Sequence, residues 1–74
     1  MLKKDIGLNA GMIWRLLFDK GALSVRQIGE LTGREEKMIL YAIGWLAGEN
    51  KIRFFSKREV VYIELIDCHS DIYY

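Results

Sequence analysis

The sequence predicts a small α+β fold, in which three helices precede an antiparallel β-hairpin. Two segments with helical apolar stripes flank Gly33, and a third such segment lies upstream of them. After Asn50, apolar and polar residues alternate in two short runs, as they do in strands. A chain of 74 residues has room for one domain, which we place at residues 1–74 with a core at about 9–65 and a tail at 66–74.

The composition is that of a folded protein with little overall charge. Hydrophobic residues make up 51% of the chain, and eleven basic residues against ten acidic ones leave a net charge of +1. A net charge so small does not draw the whole surface toward nucleic acid or anionic lipid, so any basic site has to be local. The single cysteine, Cys68, cannot form an internal disulfide, and no apolar run approaches the ~20 residues of a membrane span. We therefore expect a cytoplasmic protein without a membrane partner.

The first helix is predicted to begin after an irregular lead-in at residues 1–8. Asn9 is a suitable N-cap, and the helix then runs to about Asp19. Its buried stripe is predicted to comprise Ala10, Ile13, Trp14 and Leu17. Phe18 falls on the other side, so this helix is more apolar than a small monomer requires, which favours a partner. Gly21 supplies the left-handed conformation that ends the helix.

The second helix has a clear start signal. Ser24 and Gln27 have the spacing of a capping box, so the helix begins at Val25 after a very short extended segment. Gly29 suits a close approach of another helix, and Gly33 forms the turn. The predicted buried stripe is Val25, Ile28 and Leu31.

The third helix is predicted from about Glu35 to Glu49, with Asn50 ending it in the left-handed conformation. Its buried face is predicted to hold Met38, Ile39, Ala42, Ile43 and Leu46. A hairpin joined through Lys57 and Arg58 by a loop of about four residues follows. Its inner face is predicted to carry Ile52, Phe54, Val61 and Ile63, and its outer face Phe55, Val60 and Tyr62. The last residues, CHSDIYY at 68–74, have no clear period, and are either loose or an edge that docks on a second copy.

This order of elements resembles the winged helix-turn-helix class of small DNA-binding domains over about residues 9–65. The residues that carry the resemblance are Ile28-Gly29-Glu30, Gly33, Ile39, Ala42-Ile43, Leu46 and the segment AGENKI at 47–52. Asn50 stands where glycine is usual in that class. More narrowly, the runs IGLNAGMIWRLL and YAIGWLAGENKI look like a short bacterial winged-helix family of uncharacterised function. The narrower resemblance implies no activity.

In the wider class the third helix enters the major groove and the hairpin, or wing, contacts phosphates. The resemblance therefore implies a DNA-binding domain of a small transcription regulator, with duplex DNA as partner and a homodimer as the expected assembly. By position, the implied DNA-binding residues are Arg34, Lys37 and Tyr41 on the helix, and Arg53, Lys57 and Arg58 on the wing. Glu35 and Glu36 also open the third helix, where acidic groups repel a phosphate.

The alternative hypothesis is a scaffold for protein interaction or homodimerisation without DNA binding. Its interface residues are predicted to be Leu40, Trp45, Phe55 and Tyr62. Cys68 and His69 lie beside acidic residues but lack a set of four ligands at zinc-like spacing. With one histidine, one cysteine and no paired carboxylates on a common face, the sequence predicts no enzyme, no metal and no cofactor.

Overall fold

A computed structural model describes residues 3–66 and shows three helices packed against a three-stranded antiparallel sheet. The elements in chain order are α1 (Lys3–Lys20), β1 (Leu23–Ser24), α2 (Val25–Thr32), α3 (Glu36–Gly48), β2 (Ile52–Lys57) and β3 (Val60–Leu65). The predicted α+β class and the hairpin after the third helix are confirmed. Within the described residues, no helix is long and apolar enough to cross a membrane.

The first helix starts earlier than predicted. Asn9 does not cap it, because Asn9 lies inside α1 and its Nδ2 donates a hydrogen bond of 2.7 Å to the backbone oxygen of Asp5. Upstream, Gly7 lies against the indole of Trp45, where an added Cβ would stand 3.6 Å from Cζ2. The start of α1 therefore has no capping signal in the sequence, and packing against α3 keeps it helical. The predicted buried stripe of α1 is confirmed: Ala10, Ile13, Trp14 and Leu17.

The capping box of α2 is present as predicted. The Ser24 Oγ accepts from the Gln27 backbone N–H at 3.2 Å, and the Gln27 Oε1 accepts from the Ser24 N–H at 2.9 Å. Gly33 ends the helix with φ of 71°, and its N–H donates to the Gly29 oxygen. The predicted stripe is wrong at Leu31, which is 51% exposed. Leu31 follows Ile28 by three residues, which is less than one helical turn of about 3.6 residues. Its side chain therefore lies to one side of the buried face centred on Ile28.

The third helix is one residue shorter at each end than predicted, and its buried face is as predicted except that Met38 is only half-buried. Its C-terminus forms a Schellman motif. The Lys51 N–H donates to the Leu46 oxygen and the Asn50 N–H to the Ala47 oxygen, both at 3.0 Å. Asn50 has φ of 59°, which confirms its predicted left-handed conformation.

The sheet has the order β1-β3-β2, so the last strand is the central one. Leu23 pairs with Ile63, and β2 pairs with β3 along its whole length. The hairpin loop has two residues rather than about four, because the strands continue to Lys57 and Val60. Both loop residues, Arg58 and Glu59, have positive φ, of 53° and 65°. That pattern is the one found in type I′ turns.

The core lies between the helices and the inner face of the sheet. Its largest fully buried side chains are Ile13, Ile28, Ile39, Leu46 and Ile63. Two residues predicted on the inner face, Phe54 and Val61, are 51% and 49% exposed. No described helix covers that end of the hairpin, so its tip projects beyond the core. The predicted tail contacts of residues 67–74 lie outside the described residues.

Candidate nucleic-acid interface

The helical part of the predicted interface is exposed around the start of α3. Arg34 lies in the turn, where its backbone N–H donates to the Thr32 Oγ1 at 3.2 Å. The same hydroxyl donates to the Ile28 oxygen at 2.7 Å, so the turn is tied to the end of α2. Lys37 lies in the first turn of α3, and Tyr41 stands one turn further on the same exposed side. These three side chains are therefore available to a ligand.

The rest of the exposed face of α3 contributes little positive charge. Glu35 takes the N-cap position without a side-chain capping bond, and Glu36 follows it. Leu40 is exposed, and a Cβ added at Gly44 would meet no atom within 4 Å. Within the described residues, the exposed positions of α3 are Glu36, Lys37, Leu40, Tyr41, Gly44 and Gly48. One cation and one anion nearly cancel along this face, so α3 alone attracts a phosphate backbone only weakly.

The hairpin positions its three predicted residues differently. Arg53 is directly opposite Glu64 across the strands, and its Nε lies 2.6 Å from the Glu64 Oε2. The charge of Arg53 is therefore already compensated. Lys57 ends β2 and Arg58 lies in the turn, both exposed.

Within residues 3–66, ion pairing divides the predicted DNA-binding cations into one that is paired and four that are not. Among the described residues, carboxylates are paired with Arg15, Arg26 and Arg53. The other four predicted DNA-binding cations have no ion pair within that part of the chain: Arg34, Lys37, Lys57 and Arg58. A phosphate bound there would not have to displace a carboxylate.

The structure brings these cations together as two groups rather than one. Strand alternation places Arg53, Phe55 and Lys57 on the face of the hairpin opposite to the buried Ile52, whereas Arg34 and Lys37 belong to the helical layer. Lys57 and Arg58 line an open depression of about 360 Å³ together with Ala22, Phe55 and Tyr62. Sequence analysis missed Ala22 because its position beside the hairpin depends on the pairing of β1 with β3, for which the sequence has no local signal.

The residues of the alternative protein interface also separate. Phe55 stacks on Tyr62 across the hairpin, with ring centroids 5.5 Å apart and planes at 20°. Trp45 is half-buried, packed against the core and against Gly7 of α1. Leu40 stands on the exposed side of α3. Leu40 and Trp45 therefore belong to α3, whereas Phe55 and Tyr62 belong to the hairpin.

The described residues contain no group of three or more histidine, cysteine, aspartate or glutamate side chains arranged to hold a metal ion. Cys68 and His69 lie outside those residues.

The fold is similar to that of a solved protein. The solution NMR structure of protein BT2368 from Bacteroides thetaiotaomicron matches with a TM-score of 0.81 and 27% sequence identity, over 100% of this chain and 94% of that chain. We found no curated protein with significant sequence similarity. Residues 1–65 match a family described as winged helix-turn-helix domain (DUF2582), as the sequence resemblance implied. The chain therefore belongs to this winged helix-turn-helix family.

Proposed function

We propose that this domain binds duplex DNA as part of a small bacterial transcription regulator, with the start of α3 at the major groove and the hairpin tip on the phosphate backbone. The observation that carries the proposal is a set of four cations at these two places that have no ion pair among the described residues: Arg34, Lys37, Lys57 and Arg58. Lysine and arginine bind phosphate by charge-assisted hydrogen bonds, and they release counterions when they do so. Membership of a winged helix-turn-helix family, a class in which DNA binding is common, supports the same function.

The residues on the exposed side of α3 favour weak base discrimination. Leu40 offers an apolar contact to a thymine methyl, and the Tyr41 hydroxyl reaches a phosphate or a base edge. Glu35 and Glu36 oppose the approach of phosphates to the helix start. Most of the affinity then comes from phosphate contacts, with Arg53 contributing less because it shares its charge with Glu64. The proposed role is binding without catalysis, in the cytoplasm.

Salt dependence tests the proposal. Four phosphate contacts predict that the logarithm of affinity for random-sequence duplex falls against the logarithm of salt concentration with a slope of roughly −3.6. Replacing Lys57 and Arg58 by alanine is expected to bring the slope about two units closer to zero. The control replaces Arg15 and Lys20 of α1, which lowers the net charge by the same two units, although Arg15 is paired with Asp19. Absence of binding at low salt, or equal effects of the two double variants, would contradict the proposal.

Self-association or protein binding is a second candidate, favoured by the apolar side chains that the projecting hairpin exposes. Phe54 and Val61 are about half exposed on the inner face of the hairpin. Monomers seldom leave such a patch in water, and a homodimer interface on the inner face would bury it. The solution mass of the wild-type chain and of Phe54→Glu tests this: the wild type is expected to be dimeric and the variant monomeric. Equal masses would remove the support for this interface.

A further inference from the structure

The outer face of the hairpin, the face turned away from the core, is ordered in three cross-strand rows. Lys57 lies opposite Val60 at the tip, Phe55 opposite Tyr62 in the middle, and Arg53 opposite Glu64 toward the base. We use the term outer face for these six residues. From tip to base, the rows therefore contain a cation without an ion pair among the described residues (Lys57), an aromatic pair (Phe55 and Tyr62) and an ion pair (Arg53 and Glu64).

The aromatic row is accessible. Phe55 is 38% exposed and Tyr62 is half-buried, and their rings stack on each other rather than inserting into the core. The depression of about 360 Å³ beside them includes Ala22, whose short side chain leaves space next to the rings. Its volume lies within the range of roughly 300–1,000 Å³ that small-ligand sites occupy.

The charge around the depression is positive. Lys57 and Arg58 line it and have no ion pair within residues 3–66, and none of the lining residues in that range is acidic. The nearest carboxylate on the outer face, Glu64, is held by Arg53 at 2.6 Å. Glu59 follows Arg58 in the turn and is exposed. Anionic groups are therefore favoured next to the rings.

Stacked aromatic rings flanked by cations match the chemistry of an unpaired nucleotide. Bases stack on aromatic side chains while lysine and arginine bind the phosphates, which is how sheet surfaces bind single-stranded nucleic acid. A second copy of this chain fits less well, because burying Lys57 and Arg58 in an apolar interface would strip two unpaired charges of water. We infer that the outer face and the adjoining turn form a binding site for single-stranded nucleic acid, with a base stacked on the exposed surface of the Phe55–Tyr62 pair and its phosphates on Lys57 and Arg58.

This site goes beyond the proposed duplex function. In a duplex the faces of the bases are covered by their neighbours in the stack, so Phe55 and Tyr62 have nothing to stack on except at frayed ends. The two functions share Lys57 and Arg58 but differ in their remaining residues. Arg34 and Lys37 serve only the duplex, and the aromatic pair serves only the single strand.

Binding of a fluorescent oligothymidine and of a blunt-ended duplex to the full chain, measured by anisotropy at the same low salt, tests the inference. Phe55→Ala is expected to weaken single-strand binding roughly 5- to 150-fold, as alanine substitution of a stacking residue does, and to leave duplex binding unchanged. Phe54→Ala is the matched control, since it removes a similarly exposed ring from the neighbouring position on the opposite face. Phe55→Trp keeps a stacking surface and is expected to retain single-strand binding.

The other pair of cations separates this inference from the duplex function. Replacing Arg34 and Lys37 by alanine is expected to weaken duplex binding and leave oligothymidine binding intact. If neither the wild type nor any variant binds duplex, while the wild type and Phe55→Trp bind the single strand, the duplex function fails and the outer-face site stands. The inference is overturned if Phe54→Ala and Phe55→Ala have equal effects, if oligothymidine does not bind at low salt, or if Phe55→Ala instead dissociates a dimer. Thermal unfolding of each variant identifies any loss of binding caused by loss of fold.

Discussion

Asn9 lies in the middle of α1 with its side chain only half satisfied. Its Nδ2 donates to the Asp5 oxygen, whereas its Oδ1 is buried and has no hydrogen-bond partner among the described residues. A buried acceptor without a partner costs about 1–3 kcal/mol, and asparagine is a poorer helix former than alanine. Asn9 therefore destabilises the helix in which it lies.

Replacing the two asparagines in turn gives opposite expected results. Asn9→Ala is expected to raise the free energy of unfolding by about 1 kcal/mol, because it removes the unsatisfied oxygen. Asn50→Ala is expected to lower it by about 1 kcal/mol, because alanine tolerates the left-handed conformation at the end of α3 less well. Urea unfolding measures both. A loss of stability in Asn9→Ala would contradict the position of Asn9 inside α1.

The two asparagines also show which residue-level predictions succeed. Asn50 follows a long apolar period and precedes a strand pattern, so a helix end there agrees with its neighbours on both sides. At Asn9, only the general preference of asparagine for cap positions predicts a helix start. Contact of Gly7 with Trp45, 38 residues away in sequence, decides the conformation at that end, and no local pattern contains that contact.

At the scale of the element, the hairpin turn is the strained part of the wing. Arg58 and Glu59 both adopt the left-handed region, which costs a residue with a Cβ roughly 1–2 kcal/mol. Type I′ turns normally use Asn-Gly for this reason. The strain lies at the tip, where the exposed Arg58 is one of the cations proposed to bind phosphate.

Two substitutions at Glu59 distinguish the effect of backbone strain on stability from the effect of charge on DNA binding. Glu59→Gly is expected to raise the free energy of unfolding by about 1 kcal/mol, whereas Glu59→Ala, with its Cβ kept, is not. Both variants remove the same anion beside Lys57 and Arg58, so both are expected to tighten duplex binding to a similar extent. Thermal unfolding and anisotropy measure the two effects. Equal stability of the two variants would contradict the strained turn.

Gly44 of α3 tests how much a glycine inside a helix costs when its surroundings leave room for a side chain. A Cβ at Gly44 meets open space, so Gly44→Ala is expected to raise the free energy of unfolding by about 0.8–1 kcal/mol through helix propensity. The same change at Gly33, where φ is 71°, is expected to destabilise the domain. Urea unfolding of both variants checks the pair, and a destabilised Gly44→Ala would mean that this face is covered.

Sequence patterns at this scale predicted the helices and the hairpin better than they predicted their pairing. The capping box and the glycine turn are local, so α2 was placed correctly. Strand β1 has two residues and pairs with Tyr62 and Ile63, about forty residues later, so its place in the sheet has no local signal. The Arg53–Glu64 ion pair was missed for a related reason. It depends on the hairpin register, and a loop of four residues instead of two changes that register.

In the molecule as a whole, one core joins all the elements. Ile63 is fully buried in the central strand, opposite Leu23 on one side and Phe54 on the other. Ile63→Ala is expected to lower the free energy of unfolding by about 2–5 kcal/mol, a large fraction of the total for a domain of this size. Val61→Ala changes an exposed residue of the same strand and face, and is expected to change the free energy of unfolding by less than about 0.5 kcal/mol.

Circular dichroism and tryptophan fluorescence during urea unfolding check this prediction. Coincident transitions are expected for both variants, since the helices and the sheet share the same buried side chains. A helical signal that survives in Ile63→Ala after the fluorescence transition would contradict a single cooperative core.

The strand order also has a consequence during synthesis. A ribosome makes the three helices and the first two strands of this chain before it makes β3, yet β3 is the neighbour that both of those strands need. Until then, β1 and β2 have no strand to pair with, and the apolar side chains that pack against β3 are exposed and can associate with other chains. The native structure of this domain therefore cannot be completed before β3 has been synthesised, and truncated products ending before residue 60 are expected to be recognised by chaperones and proteases as unfolded.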